Sequence, residues 1–469
     1  MHVPMVRIFV FAVFLFAFLI FCPFMAEARM ASLDHLKVGS HPAGILCIII
    51  FVVSYLAVLS EEYTHLSKSK PVLLGAGLMW VVIALIAPSY GVDHSGMRAA
   101  VFHGLGEYAS LMLFLLSAMT YIAALEDRNV FNVIRARLVR SGMTYRQLFW
   151  ATGFIAFFLS SIADNLTTAL VIGAVVLAVG RGRNHFISIG CINVVSAANA
   201  GGAFCPFGDI TTLMVWQAEK VEFFEFFDLF LPSLVNFLVP AFLMSLTIKG
   251  GERPEPDVED VHLKQGAVPI IFLGFLTIAM AVSLEQFLGL PPFIGMMTGL
   301  SFLMIAAWFI AHTGPNRDKD FDIFKQVAAA EWDTLLFFFG VIFSVGGLAF
   351  LGYLEQVSHG LYGVFGPGIA NISVGFFSAL VDNIPVMFAV LTMDPHMDHF
   401  QWLLITLTAG VGGTMLSIGS AAGVALMGTA RGYYTFFSHL KWAPVILLGY
   451  AASIGVHYVL NHDLIGLYK

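Results

Sequence analysis

The segment SSIADNLTTALV (residues 160–171) places an Asp-Asn pair in an otherwise apolar stretch, and FFSALVDNIPVMFAVL (376–391) does so again 218 positions later. An aspartate at the centre of a bilayer costs about 2.5–3.5 kcal/mol on insertion scales. A serine would cap a helix at a lower desolvation cost. Because the costlier residue recurs at corresponding places, the pairs Asp164-Asn165 and Asp382-Asn383 are predicted to be functional.

The surrounding chain has the composition of a polytopic membrane protein. Of its 469 residues, 59% are hydrophobic and 11% are charged, whereas a soluble domain is about 25% charged. The mean hydropathy is +0.86. Long apolar stretches such as 43–60, 71–87 and 268–284 approach the ~20 residues that a spanning helix needs. Since hydrocarbon cannot hydrogen-bond to the backbone, an all-α fold with 11–13 membrane segments is expected.

Several other classes of protein and site are not expected. The four cysteines lack metal-ligand spacing, so neither disulfides nor a zinc site is predicted. The net charge of −7 gives no indication of nucleic acid, and no phosphate-binding loop suggests ATP hydrolysis. No nucleophile–base pair is found, so we do not expect an enzyme, and no cofactor is expected besides the transported ions. Residues 1–28 are either a signal peptide or a first membrane segment, and both remain open.

Three features recur in the same order in the two halves of the chain. Glu107 opens EYASLMLFLLSAM and Glu331 opens EWDTLLFFFGVIF, the Asp-Asn pairs follow, and GGAFCPFGDITT (201–212) then aligns with GGTMLSIGSAAG (412–423). Apolar composition alone would not reproduce this order. The predicted organisation is N-terminal membrane helices at 40–106, a first transport repeat at 107–250, a linker loop with connecting helices at 251–330, and a second repeat at 331–460.

The basic residues predict how the repeats are oriented, because cytoplasmic loops retain Lys and Arg. The loop 126–146 holds five arginines and is predicted to be cytoplasmic. A single crossing by 147–180 would place Arg183 outside. A hairpin that enters from the cytoplasm and turns at Asp164-Asn165 keeps it inside, and seventeen of the 23 basic residues then fall in cytoplasmic loops.

The second hairpin, at about 364–393, then enters from the opposite side. The fold prediction is therefore two inverted-topology repeats, each with a re-entrant hairpin and an interrupted transmembrane helix. Secondary transporters have this architecture, with the substrate site at mid-membrane where the repeats meet.

Oxygen-bearing side chains at the two hairpin tips predict a cation site. Carboxylate, amide and hydroxyl oxygens are ligands that hard cations prefer, so we expect Na⁺ to be held by Asp164, Asn165, Asp382 and Asn383. Hydroxyls within a turn or two are secondary candidates: Ser160, Ser161, Thr167, Thr168 and Ser378.

The second element of each repeat is predicted to be a helix that breaks at membrane depth, at 201–209 and 412–420. Glycine and proline disfavour helix there, and the residues concerned are Gly201, Gly202, Pro206, Gly208, Gly412, Gly413 and Gly419. Asp209 adds a third acid to the predicted site, and its counterpart is Ser420. Further secondary ligand candidates are Asn199, Thr211, Thr212, Thr414, Ser417 and Ser420.

Buried acids of this kind suit an exchanger. Desolvation and a neighbouring carboxylate favour the protonated form of a carboxyl group, whereas a bound cation favours the ionised form. One site that holds either protons or Na⁺ therefore couples their movements by competition. Glu107 and Glu331 are each predicted to begin a spanning helix, where a carboxylate complements the helix dipole, with a role in proton passage as the alternative. His103, His185 and His439 are assigned no specific role.

Three of these segments resemble a known family. SSIADNLTTALV, NAGGAFCPFGDITTLMVWQ and SALVDNIPVMFAVL are similar to signature segments of NhaD-type Na⁺/H⁺ antiporters, within the ion transporter superfamily, and the resemblance covers about residues 40–460. It implies exchange of Na⁺ or Li⁺ for protons at the bacterial inner membrane, by a homodimer with separate scaffold and transport domains. The matching positions are Asp164, Asn165, Thr167, Thr168, Asp209, Thr211, Asp382 and Asn383.

Two other kinds of transport protein remain as alternatives. An anion carrier of the same superfamily, for dicarboxylates or for arsenite and antimonite, would carry Ser-Asn-Thr at its tips if it were of the dicarboxylate type. Asp stands in the place of that serine here, and it would repel a dianion. A passive ion channel would need a continuous pore and no inverted repeats. The expected partners are the lipid bilayer and monovalent cations, with no nucleic acid.

Overall fold

The computed structural model describes residues 42–64, 66–90, 94–180, 182–249, 251–254, 261–313 and 321–468. The segment 1–28, predicted as a signal peptide or a first membrane segment, lies outside the described residues. Within the described ranges the regular secondary structure is helical throughout, as the apolar composition predicts.

The helices of the first half are bounded as follows: α1 (Pro42–Leu59), α2 (Glu61–Thr64), α3 (Ser69–Ile86), α4 (His94–Asp127), α5 (Val130–Arg140), α6 (Tyr145–Ser160), α7 (Asn165–Val179), α8 (Asn184–Gly202), α9 (Ile210–Gln217) and α10 (Phe230–Ser245). Short 3-10 turns cover Ala87–Tyr90 and Phe223–Leu229.

The helices of the second half are α11 (Ala267–Leu288), α12 (Pro292–His312), α13 (Ile323–Ala328), α14 (Trp332–Phe350), α15 (Tyr353–Ser358), α16 (Val364–Ser378), α17 (Asn383–Met393), α18 (His399–Gly412), α19 (Ala421–Thr429), α20 (Phe436–Leu440) and α21 (Ala443–Leu460). A π turn covers His359–Gly363, and 3-10 turns cover Gly413–Met415 and His462–Leu464. α16 is kinked at Gly366, where φ is +74°.

Eight stretches of the described residues are long and apolar enough to cross a membrane: Ser69–Ser89, His94–Asp127, Phe223–Ser245, Ala267–Leu288, Pro292–His312, Trp332–Phe350, Tyr353–Ser378 and Ala443–Leu460. Three shorter apolar helices cover Pro42–Val58, Asn165–Val179 and Asn383–Met393. The polytopic, all-helical class is therefore confirmed. The figure of 11–13 membrane segments stays a prediction.

Glu107 does not begin a spanning helix, contrary to the sequence prediction. α4 starts at His94, so Glu107 lies well inside a 34-residue helix. The preceding residues, HSGMRAAVFHGLG (94–106), contain no proline, and nothing in them stops a helix from extending several turns beyond the apolar run. Glu331 does lie at the start of a helix, as the N-cap residue of α14.

The chain divides into two compact units. The described part of the first unit consists of residues up to 112 together with 331–366 and 392–395. The second unit holds 113–330, 367–391 and 396 onward. The first unit thus contains α1, α3 and α14, and the second contains the Asp-Asn pairs and both Gly-Gly segments.

In the first unit, α3 packs against both α1 and α14 at close range. A Cβ atom at Gly75 would lie 2.1 Å from Ser54 Oγ, and one at Gly340 would lie 2.8 Å from the carbonyl carbon of Val72. Trp80 Nε1 donates to the Phe343 carbonyl at 2.9 Å. Small residues of this kind let helix backbones approach each other within a membrane.

In the second unit, α6 packs on α8, α10 on α21 and α11 on α12. Four of the gaps between α-helices in this unit bear on the candidate site. They lie at 161–164 between α6 and α7, at 203–209 between α8 and α9, at 379–382 between α16 and α17, and at 413–420 between α18 and α19, the last including a 3-10 turn. These interruptions carry the residues that the sequence singled out.

Candidate functional site

The first Asp-Asn pair lies where α6 ends and α7 begins. Asp164 has a positive φ of +42°, which turns the chain into α7. Its carboxylate caps that helix: Oδ1 accepts from the Thr167 backbone N–H at 2.8 Å, and Oδ2 accepts from Thr167 Oγ1 at 2.9 Å. Since a carboxylate has about four acceptor sites, this capping leaves Asp164 able to bind a cation as well.

The second Asp-Asn pair lies in the corresponding place, between α16 and α17. Asn383 begins α17 and is 2% exposed. Asp382 precedes it and is partly buried, one residue before the amide that Asn383 donates to Asp209 Oδ2. Both tips therefore present an aspartate followed by an asparagine at the start of a helix.

The two broken helices resume at residues with the same backbone geometry. Asp209 precedes α9 with φ −142° and ψ 144°, and Ser420 precedes α19 with φ −139° and ψ 147°. Asp209 Oδ1 accepts from the Thr211 N–H at 3.0 Å, and Ser420 Oγ accepts from the Gly423 N–H at 3.2 Å. Asp209 and Ser420 therefore cap corresponding helices, the first with a carboxylate and the second with a hydroxyl.

The carboxylate of Asp209 joins both hairpin tips. Its Oδ2 accepts from Asn165 Nδ2 at 3.0 Å and from Asn383 Nδ2 at 3.0 Å. Asn165 Nδ2 also donates to Asn199 Oδ1 at 2.9 Å. Asp209 is 4% exposed. Because both amides donate through nitrogen, the amide oxygens of Asn165 and Asn383 keep their acceptor capacity.

A serine at the end of each hairpin's first helix makes the same contact with the adjacent broken helix. Ser160 Oγ donates to the Ala198 carbonyl at 2.6 Å, and Ser378 Oγ donates to the Ala409 carbonyl at 2.8 Å. The sequence predicts these hydroxyls as ligand candidates. In the structure, each one joins a hairpin to the adjacent broken helix. The two halves therefore share a contact as well as a motif.

The glycines of the two motifs allow close backbone approach. A Cβ atom at Gly201 would lie 2.0 Å from the Phe157 carbonyl oxygen, and one at Gly412 would lie 2.2 Å from the Gly375 carbonyl oxygen. Gly208 and Gly419 would likewise meet backbone oxygens at 2.5 Å.

The first Gly-Gly pair does not form the break that the sequence predicts for it, whereas the second pair lies at the edge of its break, where Gly412 ends α18 and Gly413 opens the interruption. α8 continues through Gly201 and Gly202 and ends at Gly202, and α18 ends at Gly412. The structural reason is that these positions pack against a hairpin backbone, so the absence of a side chain matters more than helix propensity. Pro206 and Gly208 do lie in the first interruption, and Gly413 and Gly419 lie in the second.

The remaining hydroxyl candidates are buried around the breaks. Thr212 Oγ1 donates to the Asp209 carbonyl at 2.6 Å, and Thr414 Oγ1 donates to the Val411 carbonyl at 2.6 Å. Thr168 Oγ1 contacts the Ala163 carbonyl at 3.4 Å, and Ser161 Oγ donates to the Phe158 carbonyl at 2.8 Å. These four hydroxyls thus hold backbone carbonyls of their own segments. Thr211 is also fully buried.

Ser417 Oγ and Asn199 Nδ2 are among the buried side-chain atoms near the breaks that have no hydrogen-bond partner among the described residues. Buried polar groups in proteins are rarely left unpaired, and an exception calls for an explanation such as water or an ion. Ser417 lies in the second interruption and Asn199 in α8 beside Asn165, so both adjoin the predicted site.

Glu107 and Glu331, which the sequence singles out, both belong to the first unit. Glu107 Oε1 lies 3.4 Å from His103 Nε2, one turn earlier on α4, and both side chains are substantially exposed. Glu331 Oε2 accepts from Thr334 Oγ1 at 3.0 Å. Neither contact involves the residues around Asp209.

The central position of Asp209 was not anticipated from the sequence, which treated it as a third acid beside the two tip aspartates. One signal was present. Asp209 is an acid on one broken helix, and the equivalent position on the other is Ser420. Each of the two tips contributes one asparagine that can donate to an acid at this point. The amides can satisfy one shared carboxylate, whereas two like charges at that point would repel.

Known proteins match nearly the whole chain. The Na⁺/H⁺ antiporter NhaD of Alkalimonas amylolytica is 53% identical over 95% of this chain and 96% of that protein, and the Na⁺/H⁺ antiporter NhaD of Halomonas elongata is 50% identical over 98% and 96%. The chain belongs to the NhaD family of Na⁺/H⁺ antiporters. A more distant relative of this NhaD chain is the sodium/proton antiporter 1 of Arabidopsis thaliana, which is 33% identical over 92% of the chain and 75% of the relative.

A broader family also matches the NhaD chain. Residues 48–410 match the CitMHS family, described as citrate transporter. This match includes both tips and Asp209 and ends before the second interruption, at 413–420. The family prediction made from the sequence motifs is thus confirmed by the whole-length NhaD relatives.

We expect Gly201→Ala to unfold or strongly destabilise the protein. The new methyl group would meet a backbone oxygen at 2.0 Å, and backbone cannot yield as a flexible side chain can. The cost should exceed the roughly 1–3 kcal/mol of ordinary overpacking. Gly77→Ala is the matched control, since nothing lies within 4 Å of its Cβ position, and Ala favours helix by about 1 kcal/mol over Gly.

The thermal-unfolding midpoint of the purified full-length chain in detergent would be measured for both variants. Gly77→Ala should equal or exceed the wild type. A wild-type midpoint for Gly201→Ala would show that the hairpin and the broken helix are not in backbone contact.

Proposed function

We propose that this chain is a secondary antiporter that extrudes Na⁺ or Li⁺ in exchange for protons. The observation that carries the proposal is the buried carboxylate of Asp209, which accepts hydrogen bonds from Asn165 and Asn383, each of them preceded by an aspartate. The relatives named as Na⁺/H⁺ antiporters support it, because they match the chain at 50% identity or more over almost its full length. The protein is a multi-pass protein of the bacterial inner membrane, and its relatives are transporters rather than enzymes.

The chemistry of the site suits a small cation. In the ion-free state, amide N–H groups partly offset the charge of Asp209. An entering Na⁺ would be ligated by Asp164, Asp382 and Asp209 and by the amide oxygens of Asn165 and Asn383, which are hard ligands. A proton neutralises the same carboxylates. Since either ion neutralises the negative charge that attracts the other, Na⁺ and protons compete for the same carboxylates. Their movements are then coupled without a second binding site.

We further propose that the two halves are inverted-topology repeats with re-entrant hairpins, and that the site is opened to each side in turn. The matching contacts of Ser160 and Ser378, and of Gly201 and Gly412, support a duplicated unit. The inversion rests on the basic residues, which fall mainly in cytoplasmic loops under this topology. A homodimer with separate scaffold and transport domains is proposed on the family resemblance.

An anion carrier is not favoured, although the broader CitMHS family is described as citrate transporter. The buried Asp209 carboxylate, with Asp164 and Asp382 each one residue before an asparagine that donates to it, would repel a dicarboxylate or citrate, since like charges at short range disfavour each other. A passive channel is a different class of protein, and it is separated from an exchanger by the vesicle experiment below.

We expect Asp164→Asn, Asp382→Asn and Asp209→Asn each to abolish Na⁺-driven proton movement while the protein still inserts, because each substitution removes a charge that the cation needs. Asp322→Asn is a matched control. Asp322 also caps a helix through its carboxylate, accepting from the Phe324 N–H at 3.0 Å, and it lies on an exposed surface.

The measurement uses inverted vesicles with a pH-sensitive dye, together with ²²Na⁺ uptake against an imposed pH gradient. Asp322→Asn should match the wild type. Full activity in any of the three site variants would remove that residue from the site. Sodium flux that equilibrates without moving protons would identify a channel instead.

Competition also predicts a dependence on pH. Lowering the pH should raise the Na⁺ concentration for half-maximal response, by close to tenfold per pH unit for each proton displaced wherever the vacant site is mostly protonated. The maximal rate at saturating Na⁺ should change little. The dye assay at several pH values measures both quantities. A half-maximal concentration indifferent to pH, with a falling rate, would mean that the proton binds elsewhere, with Glu107, Glu331 or a histidine as candidates.

Cysteine labelling tests the re-entrant topology. We expect Asn184→Cys and Arg137→Cys to react with a membrane-impermeant maleimide from the cytoplasmic side, and Arg98→Cys to react from the periplasmic side. All three positions are exposed. The native Cys191 and Cys205 are buried and should give a low background. Periplasmic labelling at 184 would make 147–180 a simple crossing.

A further inference from the structure

The interruption of the second broken helix is held by a buried histidine from a later part of the chain. His439 on α20 places Nε2 at 2.7 Å from the backbone carbonyl oxygen of Thr414. Its other ring nitrogen, Nδ1, lies 2.8 Å from the Tyr434 hydroxyl. His439 is 0% exposed and Tyr434 is 1% exposed, so this chain of two hydrogen bonds is closed to solvent.

These contacts define the protonation state and the tautomer of the His439 ring. A carbonyl only accepts hydrogen bonds, so Nε2 carries the hydrogen. Burying a charge without an opposite partner is costly, which favours a neutral ring. In the neutral ring, Nδ1 is an acceptor and receives the Tyr434 hydroxyl hydrogen. Tyr434 thereby selects the tautomer that His439 needs in order to hold the Thr414 carbonyl.

The equivalent interruption in the first half is held differently. The residue that aligns with Thr414 is Ala203, and the break beside it is packed by aromatic rings. Phe204 stacks on Phe157 with ring centroids 5.3 Å apart and meets Phe230 edge-on at 5.2 Å. Ring packing is spread over a surface, whereas the histidine fixes one carbonyl through one directed bond. In the second break the Thr414 carbonyl is thus fixed by a donor from outside the broken helix, whereas the side-chain donor nearest the first break is local, with Thr212 Oγ1 3.0 Å from the Cys205 carbonyl.

We propose that His439 is a positioning residue for cation binding, which fixes the backbone at Thr414 and so sets the placement of Ser417 and Ser420 in the same interruption. This inference rests on the proposed function. Groups that are held in place before the ion arrives bind it more tightly, because less ordering accompanies binding. Loosening the Thr414 carbonyl should therefore weaken Na⁺ binding more than it slows the maximal rate.

Four variants of the full-length protein test the role. His439→Leu removes the donor, and His439→Gln keeps an amide N–H at about the reach of Nε2. Tyr434→Phe removes the group that selects the tautomer. His457→Leu is the control: His457 is also 0% exposed, and its Nε2 lies 3.2 Å from the Phe400 carbonyl, at the opposite end of α18 from the break.

Two measurements give the apparent Na⁺ affinity. One is the half-saturating Na⁺ concentration in the vesicle assay. The other is the rise of the thermal-unfolding midpoint with NaCl, at constant ionic strength with choline chloride, since a ligand that binds the folded state stabilises it. His439→Leu should raise the half-saturating concentration about tenfold, the scale of one buried hydrogen bond. His439→Gln should stay within about threefold and Tyr434→Phe should fall between them.

His457→Leu should lower the midpoint without Na⁺ and leave the half-saturating concentration unchanged. The inference is overturned if His439→Leu keeps wild-type affinity, if Leu and Gln at 439 weaken binding equally, or if His457→Leu weakens it as much. Should His439→Leu fail to fold, wild-type affinity in Tyr434→Phe overturns the inference. A wild-type protein without any response to Na⁺ in either assay contradicts the proposed function itself.

Discussion

The buried carboxylate of Asp209 imposes the constraint on which the second unit depends. A charged group removed from water is destabilising unless hydrogen bonds surround it, and a hydrogen bond to a charged group contributes about 1.5–3 kcal/mol. Three such donors are present: the Thr211 N–H and the amides of Asn165 and Asn383. To deliver the two amides, both hairpins must end at the same point as the broken helix. The interruptions at 161–164, 203–209 and 379–382 bring these donors to one carboxylate.

Much of this fold can be predicted from the sequence because its signals are local. Apolar composition predicts membrane helices, and an Asp-Asn pair within an apolar run predicts where a hairpin turns. The start of α4 at His94 could not be predicted, because polar residues before an apolar run extend a helix as readily as they end it. Low helix propensity predicts that Gly201, Gly202 and Gly412 break their helices, whereas the structure keeps them helical and packs them against other backbone segments.

The sequence predicts which residues take part in the candidate site, but it does not predict how they are arranged. Residue type and spacing identify the acids and amides. The hydrogen bonds that organise them join residues 44 and 174 positions apart, and no periodicity in the sequence encodes such pairs. The same limit explains why His439 was given no role. Its partner Thr414 is 25 residues away, and a lone histidine in a sequence does not indicate which carbonyl it reaches.

The glycines at the breaks have a mechanical consequence. At Gly201 and Gly412 the backbone of a broken helix lies directly against the backbone of a hairpin, with no side chain between them. Side chains that change rotamer act as a compliant layer, and close-packed interiors without one transmit displacement with little loss. A shift of either hairpin would therefore act on the adjoining broken helix directly, with no side chain between the two backbones to absorb it. The contact between hairpin and broken helix at these two points therefore depends on residues that lack a side chain.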